Sequence, residues 1–260
     1  MKIASFNANG IRARLPIVID WLKNESPDIL CIQETKVQDH DFPHKPLEDI
    51  GYFCSFKGQK SYNGVAILSR KPPKDIFTGF GDGDDKEGPR LIRLNIDGIF
   101  IVNTYIPQGQ DPSSEKFDYK INWFKRLRKY FEANFEPSSP IIWVGDFNVA
   151  PGPIDVYDPD KLFGSIGYHP DEHNALKDVM AWGFVDVFRM HNTDEKAFTF
   201  WDYRIPNAVK RGIGWRVDHI CATDRLAQLS TKAWIDKEPR LLQKPSDHTF
   251  IVAEFSLKTA

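Results

Sequence analysis

The sequence predicts an α/β protein in which two mixed β-sheets pack face to face with helices outside. Three observations lead there. Strand-length apolar runs outnumber helical periodicities and alternate with them along the chain. Several of these runs are too apolar to lie on a surface, yet each stops abruptly at an amide, carboxylate, hydroxyl or imidazole. Candidate polar residues come from both halves, with no linker, repeat or low-complexity tract between them, so residues 1–260 read as one domain.

The first strand, 2–7, carries Ile3-Ala4-Ser5-Phe6 and stops at Asn7-Ala8-Asn9-Gly10. A helical pattern follows over Pro16–Asn24, with Pro16 near the first turn, where its missing N–H is not needed. The strand over 28–33 carries Ile29-Leu30-Cys31-Ile32 and stops at Gln33-Glu34. Period-two or continuous apolar runs give strands at 51–56, 64–69, 90–95 and 98–105, the last running through Phe100-Ile101-Val102-Asn103 to Tyr105. Ser114–Asn134 has the period of a long helix. Ile141-Ile142-Trp143-Val144, within a strand over 140–146, stops at Gly145-Asp146-Phe147-Asn148. The helix Asp171–Trp182 follows Pro170 and opens with Asp171 and Glu172, charges that suit the positive end of a helix. Strands at 184–188, 216–222 and 248–256 complete the set, and Gly and Pro cluster in long loops over 79–89 and 151–170.

The formal net charge of −2 excludes a global basic field, so a phosphate-bearing partner would have to be gripped by a local patch. Cys31, Cys54 and Cys221 are widely spaced in apolar stretches, which argues against zinc and a disulfide framework and for buried thiols in a reducing compartment. With no signal peptide or membrane span in view, a cytoplasmic monomer without membrane contact is expected. The acidic run Asp82-Gly83-Asp84-Asp85 lacks the rest of a calcium-loop pattern and reads as solvated.

The polar strand ends carry the chemistry. Asn7, Glu34, Tyr105, Asp146, Asn148, Asp218 and His248 are the groups needed to hold a hard metal ion and cut a phosphodiester. Asp146 and Asn148 point to one side at period two, so the carboxylate can deprotonate a water while the amide holds a phosphate oxygen. The same residues also suit an Asx turn closing a strand. In Ser246-Asp247-His248, a protonated His248 would stabilise phosphoryl charge if Asp218 orients it, although an Asp–His pair also occurs as a plain loop pair. Glu34 is the natural metal ligand. The other histidines, including His219 on the opposite side from Asp218, read as surface or structural. Two basic clusters stand out. Lys120, Lys125, Arg126, Arg128 and Lys129 read as a solvated face of the long helix. Arg204, Lys210, Arg211 and Arg216 are interleaved with Phe200, Trp201, Tyr203 and Trp215, where rings and guanidinium groups could hold an unstacked or baseless nucleotide.

The motifs, in order, are Phe6-Asn7-Ala8-Asn9-Gly10-Ile11-Arg12-Ala13, Gln33-Glu34-Thr35-Lys36, Tyr62-Asn63-Gly64-Val65-Ala66-Ile67 and Asn103-Thr104-Tyr105-Ile106-Pro107. Gly145-Asp146-Phe147-Asn148-Val149-Ala150, Gly183-Phe184-Val185-Asp186-Val187-Phe188-Arg189 and Phe198-Thr199-Phe200-Trp201-Asp202-Tyr203 follow. Trp215-Arg216-Val217-Asp218 and Pro245-Ser246-Asp247-His248 close the series. Over nearly its whole length the chain resembles the exonuclease III-type AP endonucleases of the endonuclease/exonuclease/phosphatase superfamily. The resemblance implies a four-layered α/β sandwich. It implies Mg²⁺-dependent hydrolysis, with Mn²⁺ able to substitute, of the phosphodiester 5′ to abasic sites in double-stranded DNA. It also implies 3′–5′ exonuclease action or trimming of 3′ ends, in base excision repair. By motif, Glu34 is the metal ligand with Asn7 beside it and Asp247 supporting the metal region. Asp146 activates the water, Asn148 and Tyr105 contact the scissile phosphate, and His248, held by Asp218, stabilises the transition state. Phe200 and Trp215 would wall the abasic-sugar pocket, and Asn9, Arg12, Asn63, Gln108, Trp201 and Arg204 would contact DNA. Two positions depart: Asn9 stands where some members place Asp, and Gln110 where animal members carry Arg.

Two other functions compete. A phosphatase of the same superfamily acting on lipid or inositol phosphates would not need the aromatic and basic segment 198–216. A catalytically dead nucleic-acid binder would need a gap in the catalytic set, and the sequence has none.

Overall fold

The computed structural model describes residues 1–83, 88–194 and 196–257; Asp84 and Asp85 of the acidic run lie outside them. Its strands are β1 (Lys2–Asn7), β2 (Ile29–Gln33), β3 (Phe53–Lys57), β4 (Val65–Ser69), β5 (Lys74–Thr78) and β6 (Leu91–Ile96). They continue with β7 (Ile99–Tyr105), β8 (Ile141–Asp146), β9 (Phe184–Asp186), β10 (Asp218–Thr223), β11 (Ser230–Asp236) and β12 (Phe250–Phe255). The helices are α1 (Ile11–Glu25), α2 (His44–Glu48), α3 (Glu115–Asn134), α4 (Pro159–Leu162), α5 (Pro170–Met180), α6 (Val187–His191) and α7 (Asp224–Ala227). Among the described residues no helix is long and apolar enough to cross a membrane.

The strands form two six-stranded mixed sheets, ordered β11-β12-β1-β2-β4-β3 and β5-β6-β7-β8-β10-β9. Both share one plan. At the centre of each lies a parallel pair joined by a long helix, β1-α1-β2 in one and β7-α3-β8 in the other. Antiparallel strands flank each pair on both sides. The sequence shows no internal repeat, so the two halves share topology without shared residues.

Between the sheets, Ile3, Ile29, Cys31 and Ile67 of the first meet Leu94, Ile101, Ile142 and Ile220 of the second. On the outer face of the first sheet, Trp21 and Leu22 of α1 and Leu47 of α2 cover Phe6, Leu30 and Phe250. On the outer face of the second, Trp123, Phe124, Leu127 and Phe131 of α3 and Leu176 and Val179 of α5 cover Trp143 and Phe184. Four layers result, helix–sheet–sheet–helix, as expected. One polar bridge crosses the apolar seam. Asn103 of β7 donates to the carbonyls of Ile32 and Ala66 at 3.0 and 2.9 Å, and Gln33 donates back to its Oδ1 at 2.7 Å.

Several boundaries differ from the sequence reading for physical reasons. β5 and β11 escape it because both are edge strands with no long apolar run, β5 mostly exposed and β11 mostly half-buried. The four-to-five-residue helices are too short to show a period. α1 starts at Ile11, so Pro16 lies inside it and deprives the exposed Arg12 of one helical hydrogen bond. α5 starts at Pro170, capped by His169 and Glu172 in a reciprocal pair. Cys31 and Cys221 are buried free thiols, and Cys54 is half-buried.

Arg216 corrects the basic-cluster reading. It is fully buried, with its Nε 2.6 Å from Asp155 Oδ1 and its Nη2 2.8 Å from Asp186 Oδ2. His219 packs beside it, with Nδ1 3.0 Å from Arg216 Nη1 and Nε2 bonded to the Val149 carbonyl. Burial alone would raise the Asp186 carboxyl, but Arg216 and His219 hold it well below the usual range. Arg216→Met leaves buried Asp155 with only Arg189 and half-buried Asp186 without its guanidinium, and should destabilise the protein by about 3–5 kcal/mol. Urea unfolding at neutral pH measures it; an unmoved midpoint would refute this role.

Candidate active site

The topology brings the polar strand ends to one rim. Parallel pairing sets Asn7 beside Gln33 and Tyr105 beside Asp146, so β1, β2, β7 and β8 all end there. β10 runs the other way and begins there, with Asp218 paired to Asp146. His248 lies just before β12, which also begins at this rim.

Asn7 joins the two sheets. Its Nδ2 donates to Glu34 Oε1 at 2.9 Å and to Asp146 Oδ2 at 2.8 Å, using both amide hydrogens. Its Oδ1 accepts from Asn9 N at 2.9 Å. Glu34 sits at a left-handed φ of 50° immediately after β2, which turns its side chain into the rim. Burial alone would raise its carboxyl, yet Lys36, 2.7 Å away, together with the Asn7 hydrogen bond holds it below the usual range. Lys36 also donates to Asn9 Oδ1, and Asn9 Nδ2 donates to Asp247 Oδ1 at 2.9 Å. A chain Glu34–Lys36–Asn9–Asp247 therefore borders one side of the site. The sequence reading gives Lys36 no role, although its position two residues after Glu34 is a usable signal.

Asp146, Asp218 and His248 form the other side. His248 Nδ1 is 2.7 Å from Asp218 Oδ2, while its Nε2 is 3.8 Å from Asp146 Oδ2, too far for a hydrogen bond. Burial alone would lower the His248 pKa, but Asp218 and Asp146 raise it to about 10, so the ring is an imidazolium at neutral pH. Asp146 is pushed up to about 7 by burial, with Asp218 and Glu34 adding to the rise against His248. Asn148, at φ 52°, donates its backbone N–H to Asp146 Oδ1 at 2.8 Å and its side-chain amide to the Ile106 carbonyl at 2.9 Å. Tyr105 is held well above the usual phenol range by burial and by the charges of Glu34 and Asp146, so it remains a hydrogen-bond donor. Arg90 lies over its ring at 4.7 Å.

The donor set fits a hard cation on the Glu34 side. Glu34, Asp146, Asp218 and Asp247 outnumber the cations Lys36 and His248, and all offer oxygen. Among the described residues, ligand atoms of Asp146, Asp218 and His248 also converge within 4.8 Å. In that cluster His248 Nδ1 is already bonded to Asp218, and Asp146 stands 3.8 Å from Nε2 with no hydrogen bond between them. The Glu34 carboxylate, with Asn7 beside it, is the stronger candidate.

The aromatic segment is brought in by short backbone pairings of Phe200 with both Trp215 and His248. Phe200 is half-buried with its ring 4.9 Å from His248 and 5.7 Å from Trp215. Trp201 is corrected: only 2% exposed, it packs with Phe198 and Ala208 beneath this segment and offers DNA no surface. Arg204 is exposed and paired with Asp202. Arg12 is exposed at the start of α1, Gln108 is exposed on the loop after β7, and Asn63 is half-buried on a turn whose carbonyl accepts from Lys36 N. Arg12, Gln108 and Arg204 make no contact with the triad.

A family model described as the Endonuclease/Exonuclease/phosphatase family matches residues 4–248. The exodeoxyribonuclease III of Haemophilus influenzae is 33% identical over 267 residues, covering 98% of this chain and 100% of its own. An AP endonuclease structure from Archaeoglobus fulgidus superposes with a TM-score of 0.96 at 48% identity, covering 99% of this chain and 100% of its own. The structure of the 3′ phosphatase NExo from Neisseria, bound to product DNA hairpin, gives 0.94 at 34% identity, covering 99% and 100%.

The triad geometry makes the His248 titration a direct readout. In the wild type, ¹⁵N NMR should show the ring doubly protonated at pH 7 and titrating near 10. Asp218→Asn removes the main raising charge and should lower that midpoint by about 1–3 units. An unchanged midpoint would show that Asp218 does not set the ring's charge.

Proposed function

The chain belongs to the endonuclease/exonuclease/phosphatase family, and from its site we propose a DNA repair nuclease that cuts the phosphodiester 5′ to abasic sites in double-stranded DNA and trims 3′ ends. The observation that carries the reading is the His248 ring. Its Nδ1–H is spent on Asp218, and its Nε2–H is unspent and points toward Asp146, in the space between the sheets' rims. Support comes also from relatives named as exodeoxyribonuclease III and AP endonuclease.

Glu34, with Asn7 beside it and Asp247 nearby, would hold Mg²⁺ or Mn²⁺. The bound cation would neutralise charge on the scissile phosphate and the departing 3′ oxygen. Asp146, its pKa raised by burial to about 7 and so close to a neutral pH, accepts the proton of the attacking water, an effective arrangement for a general base. Asn148 holds that water or a phosphate oxygen beside it. His248 donates its Nε2–H to a non-bridging oxygen as charge builds there, and Tyr105 donates from the other side. Phe200 and Trp215 leave room for a baseless sugar and crowd one that keeps its base. Asn9, Arg12, Asn63, Gln108 and Arg204 grip flanking phosphates. The protein would act as one catalytic domain and as a monomer, in the cytoplasm, where the free thiols of Cys31, Cys54 and Cys221 stay reduced.

Chelation with EDTA should abolish cleavage of a duplex carrying an abasic analogue, and Mg²⁺ or Mn²⁺ should restore it; full activity in excess EDTA would overturn the metal assignment. Asp146→Asn and His248→Ala should each lower single-turnover cleavage by roughly 10²- to 10⁴-fold while duplex binding survives.

Trp215→Ala should reduce cleavage at the abasic analogue and narrow its advantage over an undamaged internal nucleotide. Both rates and the melting temperature are measured on one preparation. A stable variant with unchanged discrimination would remove Trp215 from the pocket.

A further inference from the structure

Lys120 corrects the solvated-face reading of α3. Together with its partner Glu172 it is fully buried, and nothing in the reaction scheme uses it. On α3 it lies three residues after Phe117 and four before Phe124, on the stripe that faces inward. An ammonium has three hydrogens to donate. All three are spent here, each on a different segment. One goes to Glu172 Oε1 on α5, one to the Asn148 carbonyl at 2.7 Å and one to the Gln108 carbonyl at 3.2 Å.

The last two acceptors matter. Asn148 follows β8 in a left-handed conformation, with its side chain turned toward Asp146 and its carbonyl turned the other way, onto Lys120. Gln108 sits in the loop that follows Tyr105, and its side chain accepts from Gln110 N at 2.7 Å across the exposed tip. The lysine stem fills the space beneath this tip. A Cβ at Gly109 would meet Lys120 Cδ at 3.2 Å and Ile166 Cδ1 at 2.8 Å, at a φ of 93°. Glu172 Oε2 is already occupied, accepting from His169 N at 3.0 Å in the α5 cap, so the pair is anchored on a rigid helix end.

We propose that Lys120 is a positioning residue of the reaction, a buried tether that fixes the Asn148 backbone and the 107–110 loop in one frame. The proposal rests on the nuclease reading for its consequence, since Asn148 and Gln108 then both face the DNA backbone. Its geometry stands apart from that reading. A displacement of about 1 Å in a group that aligns the reacting atoms is enough to cost on the order of 10²-fold in rate.

Two substitutions separate tethering from mere stability. Lys120→Met keeps the stem and removes all three bonds. Glu172→Gln removes the counter-charge but keeps the tether, because even a neutral amine has two hydrogens for the two carbonyls. Both break the same buried ion pair, so both should melt at lower temperature. Assayed well below those temperatures with Mg²⁺ and an abasic-analogue duplex, Lys120→Met should lose about 10- to 100-fold in kcat, while Glu172→Gln keeps the wild-type value. Amide hydrogen exchange gives the second readout and needs no substrate. Segments 105–112 and 147–150 should exchange faster in Lys120→Met than in Glu172→Gln. Equal kcat loss and equal exchange in the two variants would overturn the proposal, as would a Lys120→Met that fails to fold beside a folded Glu172→Gln. The expected exchange contrast in a protein that cleaves no DNA would leave the tether standing and refute the nuclease reading instead.

Discussion

One amide group sets the geometry on which the rest of the site depends. Asn7 Nδ2 ties Glu34 of the first sheet to Asp146 of the second. Two sheets held only by aliphatic side chains have no reason to keep a fixed offset at their rim, because apolar contact is non-directional. Directional bonds across the seam supply that offset. Below the rim, the Asn103 amide reaches the Ile32 and Ala66 carbonyls and Gln33 reaches back. At the rim, Asn7 completes the ladder. Each is buried, so leaving its bonds unmade would itself be costly, and the sheets are pinned in one relative position.

Pinning the sheets also pins the charges. Asp146, Asp218 and Glu34 approach one another inside a low-dielectric seam, and burial, with the charges of Asp218 and Glu34 adding to it, lifts Asp146 toward neutrality. The same crowding makes His248 an imidazolium. The raised Asp146 and the raised His248 thus share a setting, carboxylates brought together in a buried site. A cation held at Glu34, as proposed, would relieve the excess. Lys36, tied to Glu34 and Asn9, keeps that side from accumulating negative charge without closing the triad.

Much of this is legible in the sequence, and the limits are physical. Asn7, Glu34 and Asp146 declare themselves because each closes a run too apolar for the surface, and Asp218 because it opens one. A polar group delivered there by a buried strand must find a polar partner. Edge strands β5 and β11 leave no such mark, since β5 is mostly exposed and β11 buries only Ala233. Arg216 and Trp201 read as surface groups because their neighbours are remote: Asp155 lies 61 residues from Arg216. Lys120 reads as solvated by residue type, although its spacing from Phe117 and Phe124 places it on the inner stripe of α3. For a lysine whose every hydrogen finds a partner, position decides over type.

The pairing of β1 with β12 has a consequence in time. The backbone of Met1 exchanges hydrogen bonds with Phe255 at 2.7 and 2.8 Å, so the first and last strands are neighbours inside the first sheet. The second sheet is drawn from the contiguous stretch 74–223. Contacts of long sequence separation form late, after the local ones have ordered. On the ribosome, the second sheet can assemble while the first still lacks β12 and, just before it, His248. A nascent chain that has completed the second sheet thus still lacks the Asp218–His248 pair, which can form only once residue 248 has been made and β12 has docked.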